Sequence, residues 1–165
     1  MLKHLYFTCP TDHLETTINK SFEHENYFLS TLGNSVSFSS EFVNEISSFI
    51  KVNSINKITF ILSDNNRIIR DDAKSDKYNN KIEVKNFLKL IKNKSKLSQN
   101  TCEKFNFQNS NISYFMNLKI KELQLKLKNR CSETININAK IYNRQKNTFS
   151  AFKFDLVHLD YFNLN

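Results

Sequence analysis

The chain has 165 residues, 24 basic against 16 acidic side chains for a formal charge of +8, 15 Phe and 6 Tyr, but one Gly and one Pro. That length fits one domain, residues 1–165, able to bury about two thirds of its unfolded surface, and a 39% hydrophobic content argues against wholesale disorder. The lone Gly33 excludes a phosphate-cradling P-loop and a dinucleotide fingerprint, both of which need several glycines for close backbone approach.

Leu5–Cys9 is a short apolar, aromatic-rich run stopped by Pro10, and predicts a buried strand. Thr11 or Asp12 is placed to cap a polar helix running to about Lys20. Tyr27–Leu32 predicts a second strand, ended by the turn signal Gly33-Asn34. Phe42, Val43, Ile46, Phe49 and Ile50 form one apolar stripe, which predicts a helix from about Ser40 to Val52. Lys57–Leu62 is the clearest strand and runs straight into Ser63-Asp64-Asn65-Asn66. Asp71–Lys81 reads as an exposed loop, and Val84, Phe87, Leu88 and Ile91 mark an amphipathic helix followed by a polar stretch to about Asn109. Ile112, Phe115, Met116, Ile120, Leu123 and Leu127 define a long helix with Phe115 and Met116 in the core. Ile135–Tyr142 alternates strictly, as a half-exposed strand does, Asn143–Asn147 is a turn, and Phe149–Phe154 is placed to return as a hairpin partner.

Strands alternating with helices predict an α/β fold, a short mostly parallel sheet of four or five strands flanked by helices. In such sheets ligands gather beyond the carboxyl ends of the strands, where strand order reverses. Two polar segments qualify, Cys9-Pro10-Thr11-Asp12-His13 and Ser63-Asp64-Asn65-Asn66-Arg67, and a pocket between them is the default site.

This layout resembles the β-class carbonic anhydrases, in which one strand ends in Cys-x-Asp-x-Arg and a later one in His-x-x-Cys. Tyr6–His13 looks like the first motif, and Ile55–Arg67 like the third strand with its metal turn. Leu32-Gly33-Asn34 resembles the Asn-rich loop after the second strand, and Ile137–Asn143 the closing strand before a hairpin. The resemblance implies that two cysteines and a histidine would hold zinc and that an Asp-Arg pair would order the site. Here Cys9 stands in the first ligand position, but Ser63 falls where the histidine belongs and Asn66 where the second cysteine belongs. Thr11 replaces the aspartate, Asp12 is displaced by one residue, and His13 takes the arginine position. Hydroxyl and amide groups are poor ligands for Zn²⁺, so no metal or other cofactor is expected, and hydration of carbon dioxide is not the expected activity. The N-terminal helical arm that the resemblance implies is not expected ahead of the first strand.

The resulting expectation is a non-catalytic binding or scaffold module, a homodimer, with a pocket formed by Cys9, Asp12, His13, Asn34, Ser63, Asp64, Asn66 and Arg67. Its ligand is an unknown protein partner or a small anion met by Arg67, His13 and helix N-terminal amides. One alternative is an enzyme with a rearranged Cys9/Asp12/His13 metal or nucleophile centre; against it, Cys9 reads more simply as a buried strand end and Asp12 as a helix cap. Asp64 or Asn65 reads likewise as the cap of the next helix. A second alternative is a basic nucleic-acid-binding module, but joint enrichment in Lys, Asn and Ile points to compositional bias, and the lysines of 85–96 and 119–128 read as solvated helix faces. His24 and His158 stand isolated. No apolar run approaches the roughly 20 residues that span a bilayer, no signal peptide is legible, and Cys9, Cys102 and Cys131 are odd in number and widely spaced. A reduced, cytoplasmic protein is the expectation.

Overall fold

A computed structural model describes residues 2–70, 104–128, 130 and 135–151. The expected loop at 71–81, the helix around residues 84–91, Cys102, Cys131, Phe152, Phe154 and His158 lie outside the described residues. The elements in order are β1 (Lys3–Thr8), α1 (Glu15–Ser21), β2 (Glu25–Ser30), a 3₁₀ turn (Leu32–Asn34), α2 (Ser40–Asn53), β3 (Lys57–Ser63), α3 (Arg67–Arg70), α4 (Lys104–Leu127), β4 (Asn136–Asn143) and β5 (Thr148–Ala151). The strands form one sheet in the order β2-β1-β3-β4-β5, with the first four parallel and β5 returning antiparallel on β4. The α/β reading therefore holds, and most of the strand assignments with it. No helix among the described residues is long and apolar enough to cross a membrane.

Side chains alternate across each strand, and both faces of the sheet are apolar over their middle. Leu5 and Phe7 of β1, Ile58, Phe60 and Leu62 of β3, and Ile137, Ala139 and Ile141 of β4 face the larger core, where α2 adds Val43, Ile46 and Ile50 and α4 adds Phe115, Met116, Ile120 and Leu123. Phe7 stacks on Phe60 with ring centroids 4.5 Å apart, and Phe38 meets both rings edge-on. The opposite face holds a smaller cluster of Tyr6, Leu14, Ile18, Ile61 and Tyr142, rimmed by Phe22, Phe28 and Phe149. This two-sided burial explains why β1 and β3 read as continuous apolar runs, as central parallel strands do.

Turn chemistry sets the boundaries. Gly33 and Asn34 both sit in the left-handed region, at φ 60° and 54°, a conformation that Gly and Asn tolerate best. They fold the chain over the end of β2. Ser39 caps α2 by accepting a hydrogen bond from the Phe42 N–H, and left-handed Ser54 ends the helix.

Several expectations are corrected. α1 starts at Glu15, later than Thr11 or Asp12 would set it; its N-cap position is Leu14, with no side-chain cap. Asp12 cannot cap it because its carboxylate is turned inward to β3. α3 starts at Arg67, and the Asn65 side chain accepts from the Ser63 hydroxyl. Lys119 and Lys126 are not simply solvated: their ammonium groups donate to the Val36 and Phe38 carbonyls and pair with Glu122. They tie α4 to the extended segment before α2, where backbone carbonyls have no ladder partner. His24 is not isolated either, since its ring stacks 5.9 Å from that of His4.

Candidate functional site

Sheet order reverses at β1, because the chain passes from β1 to β2 on one side and then returns to β3 on the other. The crevice beyond the carboxyl ends of β1 and β3 is therefore the topological switch point. A cleft of about 300 Å³ opens there, lined by Thr11, Asp12 and His13 after β1, Asn65 and Arg67 after β3, and Arg144 after β4. Its lining is polar throughout, with His13 as the one ring.

Asp12 lies at its base. The residue is 1% exposed; Oδ2 accepts a 2.8 Å hydrogen bond from the Ser63 N–H, and Oδ1 lies 4.0 Å from Arg144 Nη2. Burial raises the Asp12 carboxyl above its ordinary range, opposed by the Ser63 N–H, the Asn66 side chain, Arg144 and His13. Arg144 closes the crevice from the β4–β5 turn. Its Nε donates to Ser63 Oγ at 3.2 Å and its Nη2 to the Asp12 carbonyl, while Ser63 Oγ donates to Asn65 Oδ1 at 2.6 Å. The ends of three neighbouring strands are thereby cross-linked around one buried charge. His13 enters with left-handed backbone, φ 51°, and both it and Arg67 are exposed.

The expected site residues divide into two groups. Asp12, His13 and Arg67 line the cleft, and Ser63 and Asn66 lie buried beneath it around Asp12. Cys9 belongs to the larger core; it is fully buried, with Sγ accepting from the Gly33 N–H and 3.1 Å from Thr11 Oγ1. Asn34 is buried with it and donates to the Ile61 carbonyl at 3.0 Å, next to the Met116 sulfur. Asp64 is half-buried, its N–H spent on the Tyr142 carbonyl. Cys9 is not itself a lining residue of the cleft and reaches it only through Thr11. Among the described residues no three His, Cys, Asp or Glu side chains gather as a metal site would require.

Solved structures supply the family context. The β-carbonic anhydrase of Sordaria macrospora superposes with a TM-score of 0.72 at 10% identity, over 92% of this chain and 80% of that one. The β-carbonic anhydrase CafA of Aspergillus fumigatus gives 0.70 at 9%, over 92% and 76% of the two chains. The fold is that of a β-carbonic anhydrase. The Coccomyxa β-carbonic anhydrase, solved with acetazolamide, gives 0.69 at 10% identity over 92% of this chain and 72% of its own. No family model matches the sequence, and no curated protein matches it. At such identities the likeness carries the fold alone.

The β-carbonic anhydrase fold invites a test for zinc at this crevice, and the residues present do not fit it. The positions that the sequence resemblance assigns to its ligands are Cys9, Ser63 and Asn66. Ser63 is an undissociated hydroxyl already committed as donor to Asn65 and acceptor from Arg144. Asn66 offers a neutral amide, and borderline-soft Zn²⁺ selects thiolate and imidazole over both. The Arg144 guanidinium, 3.2 Å from Ser63 Oγ, sets a positive charge beside that hydroxyl, which disfavours a dication there.

Arg144 is the residue that sequence reasoning misses, and it organises the crevice. The only signal is positional: it lies two residues past Tyr142, and β4 pairs with β3 so that Tyr142 stands beside Ser63. A second unforeseen feature lies on the opposite sheet face. There the Tyr6 hydroxyl donates to His4 Nδ1 at 3.1 Å, His4 Nε2 contacts Thr59 Oγ1 at 2.8 Å, and Thr59 donates to Asn138 at 2.7 Å. Because Thr59 spends its proton on Asn138, His4 must carry its own on Nε2.

Proposed function

We propose that this chain is a non-catalytic protein of the β-carbonic anhydrase fold, a binding module whose ligand site is the strand-end cleft. One observation carries the reading: the Arg144 guanidinium is held against Ser63 Oγ and Asp12, which puts a fixed positive charge beside a residue in a zinc-ligand position of the resemblance. Without a bound metal to lower its pKa, water stays near its bulk value and supplies no hydroxide nucleophile at neutral pH. The same crevice retains what binding needs, a concave polar space with convergent donors on rigid strand ends.

Self-association is part of the proposal. Phe49 and Val52 of α2 are 41% and 82% exposed, and Phe49 meets Tyr27 of edge strand β2 edge-on at 5.5 Å. An apolar strip along an open sheet edge is the kind of surface a two-fold partner covers.

The deciding experiment is elemental analysis of mildly purified protein together with a carbon dioxide hydration assay. The expected outcome is well under one zinc per chain and no hydration above background. Stoichiometric zinc that resists chelation would overturn the reading.

A further inference from the structure

Arg67 is exposed at the cleft wall, and no hydrogen bond or ion pair holds its side chain among the described residues. Arg144 is 40% exposed; it spends Nε and Nη2 on Ser63 and Asp12, which leaves the Nη1 edge of its fork for a ligand. Its charge is partly met by Asp12, whose carboxylate is turned inward and 1% exposed. The open space therefore feels two guanidinium groups against a single buried carboxylate, with the His13 imidazole and the Thr11 hydroxyl as further polar groups on the wall. Such a charge balance selects an anion.

The walls narrow the class. No aliphatic, Phe or Tyr side chain is among the lining residues, so the wall offers an acyl chain nothing to pack against. A volume of about 300 Å³ stands at the bottom of the range for ligand pockets and suits a compact molecule. Two planar forks approaching from different strand ends suit an acceptor with oxygens on several sides, more than the single edge of a carboxylate. The groups that line the cleft are the side chains of Thr11, Asp12, His13, Asn65, Arg67 and Arg144. The recognition falls on side chains.

We propose that the cleft binds a compact phosphate-class oxyanion between the guanidinium groups of Arg67 and Arg144. This rests on reading the crevice as a binding site and deepens it by naming the ligand class. Inorganic phosphate and a small phosphate monoester share the chemistry, and the test separates them.

The test is titration calorimetry of the whole chain with inorganic phosphate, glycerol 2-phosphate, acetate and bicarbonate, at neutral pH and fixed ionic strength. Phosphate or its monoester is expected to bind about tenfold or more tightly than acetate or bicarbonate, and the tighter of the two identifies the source. Arg67→Gln, at an exposed position with no partner among the described residues, is expected to weaken binding on the order of tenfold. Lys146→Gln, in the same hairpin as Arg144 but outside the cleft lining, controls for overall charge and is expected to change nothing. Equal affinity for acetate, no loss in Arg67→Gln, or equal loss in Lys146→Gln would overturn the proposal. A zinc-free, inactive protein that ignores phosphate would overturn this inference alone; stoichiometric zinc would overturn the non-catalytic reading as well.

Discussion

Acid should destabilise this protein through a single buried imidazole. His4 is 5% exposed, and its pKa is pushed down to about 3, first by burial and then by Lys57, His24 and Lys140. Every hydrogen bond it makes suits the neutral ring, from the Tyr6 hydroxyl on Nδ1 to Thr59 at Nε2. The unfolded chain protonates His4 near its ordinary value of about 6.5, whereas the folded chain resists down to about 3. The unfolded state therefore binds more protons across that window, and stability falls as pH drops through it. Each pH unit is worth at most about 1.4 kcal/mol. Two units of acidification below pH 6 would cost up to about 2.7 kcal/mol by linkage, and solvent screening around the partly exposed lysines reduces this to roughly 1–2 kcal/mol. The assay is urea denaturation at several pH values, comparing the native chain with His4→Gln, which keeps a donor toward Thr59 but cannot titrate. At neutral pH the variant should lose about 1 kcal/mol with the Tyr6 hydrogen bond, and its profile should be flatter below pH 6. Buried Asp12 titrates in the opposite sense in both proteins, so the difference between them isolates His4. Parallel profiles between pH 6 and pH 4 would refute the reasoning.

Asp12→Ala should cost about 2–3 kcal/mol by orphaning the Ser63 N–H and unbalancing Arg144, while Asp12→Asn keeps the acceptor and should cost less than about 1 kcal/mol. Since burial raises the Asp12 carboxyl, its folded state holds a proton longer, and this contribution to stability is lost as pH rises through the raised value; Asp12→Asn should lack that slope in pH-dependent denaturation. Equal costs for Ala and Asn would contradict the role given to the carboxylate. If the +8 charge reflects composition alone, duplex DNA or RNA should bind weakly and be released at physiological salt; sub-micromolar affinity at about 150 mM salt in a filter-binding assay would revive the nucleic-acid reading. Light scattering at micromolar concentration should give twice the 19.5 kDa chain mass, and Phe49→Glu should shift it toward monomer; a concentration-independent monomer would rule the dimer out.

How much of this was legible in the sequence follows the reach of each signal. Period-2 and period-3.6 patterns are local, so β3, α2 and β4 could be placed within a few residues, and the strand-end segments after β1 and β3 could be named as the candidate site; α4 begins at Lys104, inside the stretch read as polar to about Asn109. Boundaries slipped where a side chain had a distant partner instead of a near one. Asp12 has the composition of a helix cap, yet its carboxylate goes to the Ser63 N–H, 51 residues on. A local capping rule has no access to that competition, in which a buried N–H at a strand end outbids the first turn of a seven-residue helix. Lys119 and Lys126 likewise have the look of a wet helix face until the carbonyls of Val36 and Phe38 are brought under them. Alternation in β1 does place His4, Tyr6 and Thr8 on one face, but attention to the apolar run hides that this face is half polar. Arg144 was beyond local reading altogether, because its meaning depends on the register of Tyr142 against Ser63. Once that register is given, a basic residue two places past the strand end must arrive at the crevice, and the loss of ligand-type residues at Ser63 and Asn66 ceases to be a mere deficit. The Arg144 guanidinium donates to the Ser63 hydroxyl, the group standing where the sequence resemblance puts a zinc ligand, and the proposed turn of the crevice toward anions rests on that fixed side-chain cation.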